Sequence, residues 1–110
     1  MTGYIQVLTA TGGKDDAERI AAILIDERLA ACVQVLGPMA STYRWRGEVE
    51  TSQEWLCVVK SREDLYGEVE KSIRAVHPYE EPEILALPVL AGSASYLGWL
   101  DGELRPRLRG

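Results

Sequence analysis

Two stretches of this chain carry apolar side chains at helical spacing, and each is flanked by runs rich in β-forming residues. Ala17, Ile20, Ala21, Leu24 and Leu29 form the first stripe, with Arg19, Asp26 and Glu27 largely on the other face. Leu65, Val69, Ile73 and Val76 form the second, which His77-Pro78 terminates because proline pushes the residue before it out of helical conformation. A one-sided helix must bury its stripe against something, and the apolar runs supply that partner. Residues 4–10 read as a buried strand ending in a Thr11-Gly12-Gly13 turn, after which Asp15 and Glu18 favour a helix start. That first helix is expected to run to about Leu29. Residues 31–36 and 41–45 read as strand interrupted by Gly37-Pro38, with Tyr43 and Trp45 on one side and Thr42 and Arg44 on the other. Arg46-Gly47 is a tight-turn candidate, residues 49–60 are the return strand, and residues 83–90 form a last strand. Ser61-Arg62-Glu63-Asp64 has the spacing of a capping box for the second helix.

The order is thus strand, helix, strand, strand, helix, strand, and then a short helix over residues 96–104. Two helices covering one face of a four-stranded antiparallel sheet is the layered solution, an α+β, ferredoxin-like sandwich in a single domain spanning residues 1–110. Pro38 and Pro88 suit edge strands, where a missing N–H breaks no ladder bond. The last helix holds Gly98 and Gly102 and is weak in isolation, so it needs something to pack against.

A formal charge of −5 argues against nucleic acid as a partner, because phosphate contacts need a basic face. Arg105, Arg107 and Arg109 form a small basic tail, read as frayed and solubilising. Cys32 and Cys57 both lie in apolar runs and read as buried free thiols. There is no targeting signal and no apolar run of membrane-spanning length, so the expectation is a cytoplasmic protein without a membrane partner.

Function is best sought in His77-Pro78-Tyr79-Glu80-Glu81-Pro82-Glu83-Ile84. There the chain's only histidine meets a phenol, three carboxylates and two stiffening prolines. One histidine without a nucleophile motif builds no catalytic triad, and Glu80, Glu81 and Glu83 have no evident substrate pocket. Thr11-Gly12-Gly13-Lys14 lacks the remainder of a phosphate loop, and Asp15 and Asp16 would repel an anion. The residues by themselves support at most a metal or small-ligand site. Tyr43, Trp45, Trp55, Tyr79, Tyr96 and Trp99 suit half-buried contacts between subunits, which edge strands also invite, with a ligand-stacking pocket as the alternative.

Five segments occur in a telling order: Ala30-Ala31-Cys32-Val33, Ser41-Thr42-Tyr43-Arg44-Trp45-Arg46-Gly47-Glu48, Val59-Lys60-Ser61, the His77 to Ile84 loop, and Tyr96-Leu97-Gly98-Trp99-Leu100. Together, across residues 4–104, they resemble the CutA family of divalent-cation tolerance proteins. The resemblance implies a cytoplasmic homotrimer, PII-like in assembly, linked to tolerance of copper and other divalent ions and without enzymatic activity. It places Tyr43, Trp45, Lys60, Tyr79, Glu83 and Trp99 around clefts between subunits, with His77 and Cys32 as the matching metal donors. Where some members carry further cysteines, this chain has Thr9 and Ser72, which disfavours a thiolate-rich copper site. Three readings follow. His77 with nearby oxygens binds Cu(II); or a PII-like cleft holds a small anionic metabolite or a protein partner, with Lys60 supplying charge; or the loop staples the trimer.

Overall fold

Alternation in the strands and the two helical stripes resolve into one sheet backed by helices. The computed structural model describes residues 2–107. Strand β1 (Tyr4–Thr11) leads into helix α1 (Lys14–Asp26), and β2 (Cys32–Trp45) and β3 (Glu48–Arg62) form a long hairpin. A 3-10 turn (Glu63–Leu65) precedes α2 (Tyr66–Val76), and β4 (Leu85–Pro88) and α3 (Ala94–Glu103) follow. All pairings are antiparallel, in the order β2-β3-β1-β4. This is the expected α+β arrangement, with both proline-bearing strands at the edges. Among the described residues no helix is long and apolar enough to cross a membrane.

Several boundaries differ from expectation, each for a local reason. Helix α1 stops at Asp26, because Arg28 takes φ +56° and the amides of Leu29 and Ala30 both turn back to the Leu24 carbonyl. β2 runs unbroken past Gly37-Pro38 by absorbing a register shift between Leu36 and Met39. A Cβ on Gly37 would stand 2.4 Å from Trp55 Cδ1, so glycine is what lets the indole cross the bulge. The capping box at Ser61 does not form. The Ser61 hydroxyl donates instead to the Leu29 carbonyl (2.7 Å), β3 continues to Arg62, and α2 begins at Tyr66 without a side-chain cap. β4 is shorter than residues 83–90 because pairing with β1 covers only Leu85 to Pro88. Helix α3 begins earlier than expected, where Ser93 Oγ accepts the Tyr96 N–H.

The core lies between the sheet and the helices. Ile5, Val7, Cys57 and Val59 meet Ala17, Ile20 and Leu24 of α1 and Val69 and Ile73 of α2. Burial pushes the Cys57 thiol up to about 11, so it packs as a small apolar group. Cys32, first residue of an edge strand, is only half-buried, against the expectation for both thiols. Directly paired residues share a sheet face, so the registers put Leu8, Ala10, Leu36, Leu56, Val58, Leu85 and Leu87 on the side away from α1 and α2. On that open face Leu36, Leu85 and Leu87 are 52%, 57% and 46% exposed. Beyond Trp55, β3 pairs with β2 alone, which extends the molecule into a two-stranded arm along its 45 Å axis.

One buried cation ties down the far end of the fold. Arg62 is 1% exposed and donates to Asp64 (2.6 and 3.1 Å), to Asp101 (3.1 Å) and to the Arg105 carbonyl (2.7 Å). Tyr4 Oη donates to the same Asp101 carboxylate, which fastens α3 to the start of β1. Arg105 further donates to the Glu27 carbonyl, and Arg107 pairs with Asp101. The described part of the basic tail is therefore clamped rather than frayed, because Arg62 needs acceptors that the tail supplies; Arg109 lies outside the described residues. Removing a buried charge strands its partners, whereas an exposed helix pair contributes little. Arg62→Leu is expected to cost about 3 kcal/mol in urea unfolding. Arg74→Ala, at the exposed Glu70 pair, is expected to cost less than about 0.5 kcal/mol.

Candidate functional site

The loop after α2 is held by its histidine. His77 leaves the helix with extended backbone, as the following proline requires, while its amide still donates to Ile73. Ring Nε2 lies 2.8 Å from the Ala10 carbonyl, which can only accept, so Nε2 carries the proton. Nδ1 then accepts the Tyr79 N–H at 3.1 Å. Both ring nitrogens are committed, one as donor and one as acceptor, and the imidazole is fixed in one neutral tautomer. Burial pulls its pKa below the ordinary value, opposed by the Ala10 carbonyl and by the charges of Asp16 and Glu54.

This staple sets the next side chain. The Tyr79 ring tilts against the imidazole at 4.9 Å, and its hydroxyl donates to Glu54 Oε2 at 2.8 Å. The hydroxyl passes close over Gly12, where an added Cβ would approach it to 3.1 Å. Burial first, and the Glu54 carboxylate next, raise the Tyr79 pKa well above the ordinary phenol range. The phenol therefore remains a donor at any physiological pH. Glu54 itself, on β3, is 8% exposed.

Between the arm of β2–β3 and the loop 78–83 lies a cavity of about 740 Å³. Tyr43, Trp45 and Tyr79 give it aromatic walls, and Glu50, Glu54, Glu80, Glu81 and Glu83 give it carboxylates. Two exposed ion pairs border it, Arg46 with Glu80 at 3.2 Å and Arg74 with Glu81 at 3.9 Å. The cavity is concave, negative and aromatic.

Of the residues expected at the site, Tyr43, Trp45, Tyr79 and Glu83 converge on this cavity, and His77 stands directly behind its wall. Lys60 and Cys32 do not. They pair with each other across β2 and β3, opposite Gln6, four residues along β1 from Ala10. Trp99 sits on α3, which Asp101 fastens to Tyr4 at the other end of β1. Within the single chain the two expected metal donors are therefore separated. Among the described residues no three His, Cys, Asp or Glu side chains gather as a metal shell. The residues present do not fit a preformed metal centre in a single chain. Sequence reasoning missed Glu54 and Glu50. The available signal was a carboxylate in a strand directly before an apolar run, which costs burial energy unless something pairs with it.

Comparison with known proteins places these features in context. Residues 5–103 match the family model described as CutA1 divalent ion tolerance protein. Over 94 residues the chain is 43% identical to the divalent-cation tolerance protein CutA of Thermus thermophilus, covering 86% of this chain and 91% of that one. It is 38% identical over 101 residues to the chloroplastic protein CutA 1 of rice, covering 92% of this chain but 57% of the relative. The chain thus spans little more than half the length of that plant relative. The solved structure of the periplasmic divalent cation tolerance protein CutA from Archaeoglobus fulgidus superposes with a TM-score of 0.90 at 32% identity, covering 93% of this chain and 99% of that one.

The His77 staple predicts a pH dependence with a definite sign. Its folded pKa lies below the ordinary imidazole value of 6.5, so between the two values the unfolded chain binds more protons. Its contribution to stability is full above about 6.5 and is lost as pH falls from there toward the folded value. The melting temperature should decline on acidification through that window, and the His77→Gln variant, which cannot titrate, should show a shallower decline.

Proposed function

The chain belongs to the CutA1 divalent ion tolerance family, and from that premise we propose that it serves divalent-cation tolerance as a self-associating, non-enzymatic binding protein whose acid-lined cleft meets the cation. The observation that carries this reading is the sign of the cleft: five carboxylates line it, and Lys60 lies elsewhere. A negative, low-dielectric concavity concentrates cations and repels anions. The same fact counts against a PII-like site for an anionic metabolite in this cavity.

Copper held by His77 is supported less well than an ion met by oxygen donors. Either imidazole nitrogen would have to give up a hydrogen bond to ligate, whereas among the described residues Glu50 and Glu83 line the wall without an ion pair and Glu80 and Glu81 hold only exposed ones. Oxygen donors suit harder divalent ions, and an ordered shell would draw on a second subunit or on loop movement. Self-association is supported by the open sheet face. Apolar surface of this kind on an antiparallel sheet needs cover, and a paired arm of two strands is marginal alone. A homotrimer, with clefts between subunits, would supply that cover. Free Cys32 and Cys57 are compatible with a reducing, cytoplasmic location.

Two experiments test the proposal. In calorimetric titration with Mn(II) and Cu(II), the combined substitution Glu80→Gln, Glu81→Gln, Glu83→Gln is expected to weaken binding at least about tenfold, a loss of roughly 1.4 kcal/mol. His77→Gln should change affinity less than about twofold, or roughly 0.4 kcal/mol. Abolition by His77→Gln with no effect of the carboxylate substitutions would reject the oxygen-donor reading. For assembly, Leu85→Glu with Leu87→Glu should convert the trimer to smaller species in sedimentation; a monomeric wild type would end that part of the proposal.

A further inference from the structure

The carboxylates of the cleft are spread around its wall rather than gathered on one point, and no metal shell forms among the described residues. Such spacing fits a ligand with extent. A cavity of about 740 Å³ has the size of small-molecule sites, and its aromatic side chains face a cation better than an anion. Glu54 supplies the depth. It is nine-tenths buried, lines the cavity, and among the described residues its carboxylate receives one hydrogen bond, from Tyr79 to Oε2. Oε1 has no partner. A carboxylate accepts about four hydrogen bonds, so this buried acid retains most of its capacity while one oxygen is held in place. A cation entering the cavity would meet this open oxygen directly.

The chain itself displays the fitting chemistry at the mouth. Arg46, at the tip of the arm, lies with its Cζ 5.5 Å from the Trp45 ring centroid and donates to Glu80 at 3.2 Å. A guanidinium between an indole face and a carboxylate is the arrangement that a cationic ligand would reproduce further in. Arg46 is mostly exposed and its backbone is left-handed at φ +51°, so this cation sits over the entrance without filling the cavity.

We propose that the cleft binds a small organic cation bearing a primary ammonium or guanidinium group, anchored by Glu54 and stacked against Trp45, Tyr43 and Tyr79. This goes beyond the metal-ion reading and does not depend on it. The cation pairs with Glu54 at the base of the cavity, and Tyr79 keeps that carboxylate oriented. Arg46 competes for the outer aromatic surface, so ligand and side chain exchange one cation for another.

Agmatine, which carries both groups and no carboxylate, is the probe. It is titrated into the full chain in the presence of a chelator, followed by tryptophan fluorescence and calorimetry, with succinate as the anionic control. Expected are saturable agmatine binding, no succinate binding, at least about tenfold weaker binding by Glu54→Gln, and a similar loss by the exposed Trp45→Leu. Arg46→Gln should bind agmatine more tightly. Absence of saturable agmatine binding overturns the proposal, as does undiminished binding by both Glu54→Gln and Trp45→Leu. Because the chelator removes divalent ions, failure here leaves the Mn(II) and Cu(II) titrations to stand or fall separately.

Discussion

The sheet has α1 and α2 against one face, and the consequences of that asymmetry run through the molecule. The covered face buries Ile5, Val7, Cys57 and Val59 and makes the core. The other carries Leu36, Leu56, Val58, Leu85 and Leu87, aligned by the registers of β1 with its two neighbours and of β2 with β3. Apolar side chains on both faces of an antiparallel sheet mean that one layer of helices does not complete the fold. The long arm of β2 and β3 has the same deficit, since beyond Trp55 neither strand has a second neighbour. Burial of these surfaces between copies would supply what the single chain lacks.

The two ends of β1 are organised by different chemistry. At Tyr4, a buried guanidinium gathers Asp64, Asp101 and the Arg105 carbonyl, holding α3 and the chain that follows it. Hydrogen bonding to Arg62 keeps the Asp64 carboxyl below the usual range, and that to Tyr4, then Arg62, does the same for Asp101. Charge is satisfied there. At Ala10, the staple from His77 through Tyr79 to Glu54 instead leaves a carboxylate with spare acceptors beside an open cavity. A neutral histidine is well suited to this structural work, because it donates on one side and accepts on the other.

That division changes what the His77 loop means. An imidazole with two committed nitrogens is a positioning group, and the reactive character of the site passes to the carboxylates and aromatic faces it positions. Divalent ions and organic cations share the electrostatic attraction of such a cleft but differ in what they need from it. An ion needs convergent oxygens, and an ammonium or guanidinium needs one anchored carboxylate and a π face.

The element order, the edge placement of Pro38 and Pro88 and the loop that carries Tyr79 and Glu83 were all legible in the sequence. Each follows from local rules: the period of the apolar pattern, the missing proline N–H, and the turn a proline imposes on its predecessor. The Ser61 capping box was misread because its hydroxyl had a better acceptor in the Leu29 carbonyl, thirty-two residues away in sequence. Likewise the end of α1 and the continuity of β2 depended on backbone closure and a bulge that spacing does not encode. Glu54 carried only the weak signal of an acid leading into an apolar run, and Arg62 carried none, since a charged side chain in a strand looks the same whether it faces water or a partner. Only the tertiary structure decided that Tyr43, Trp45, Tyr79, Glu83 and Glu54 share one cavity while Lys60, Cys32 and Trp99 lie apart. The physical reason is that sequence fixes which face of a strand or helix a residue occupies, whereas convergence depends on sheet register, and register is set by long-range pairing.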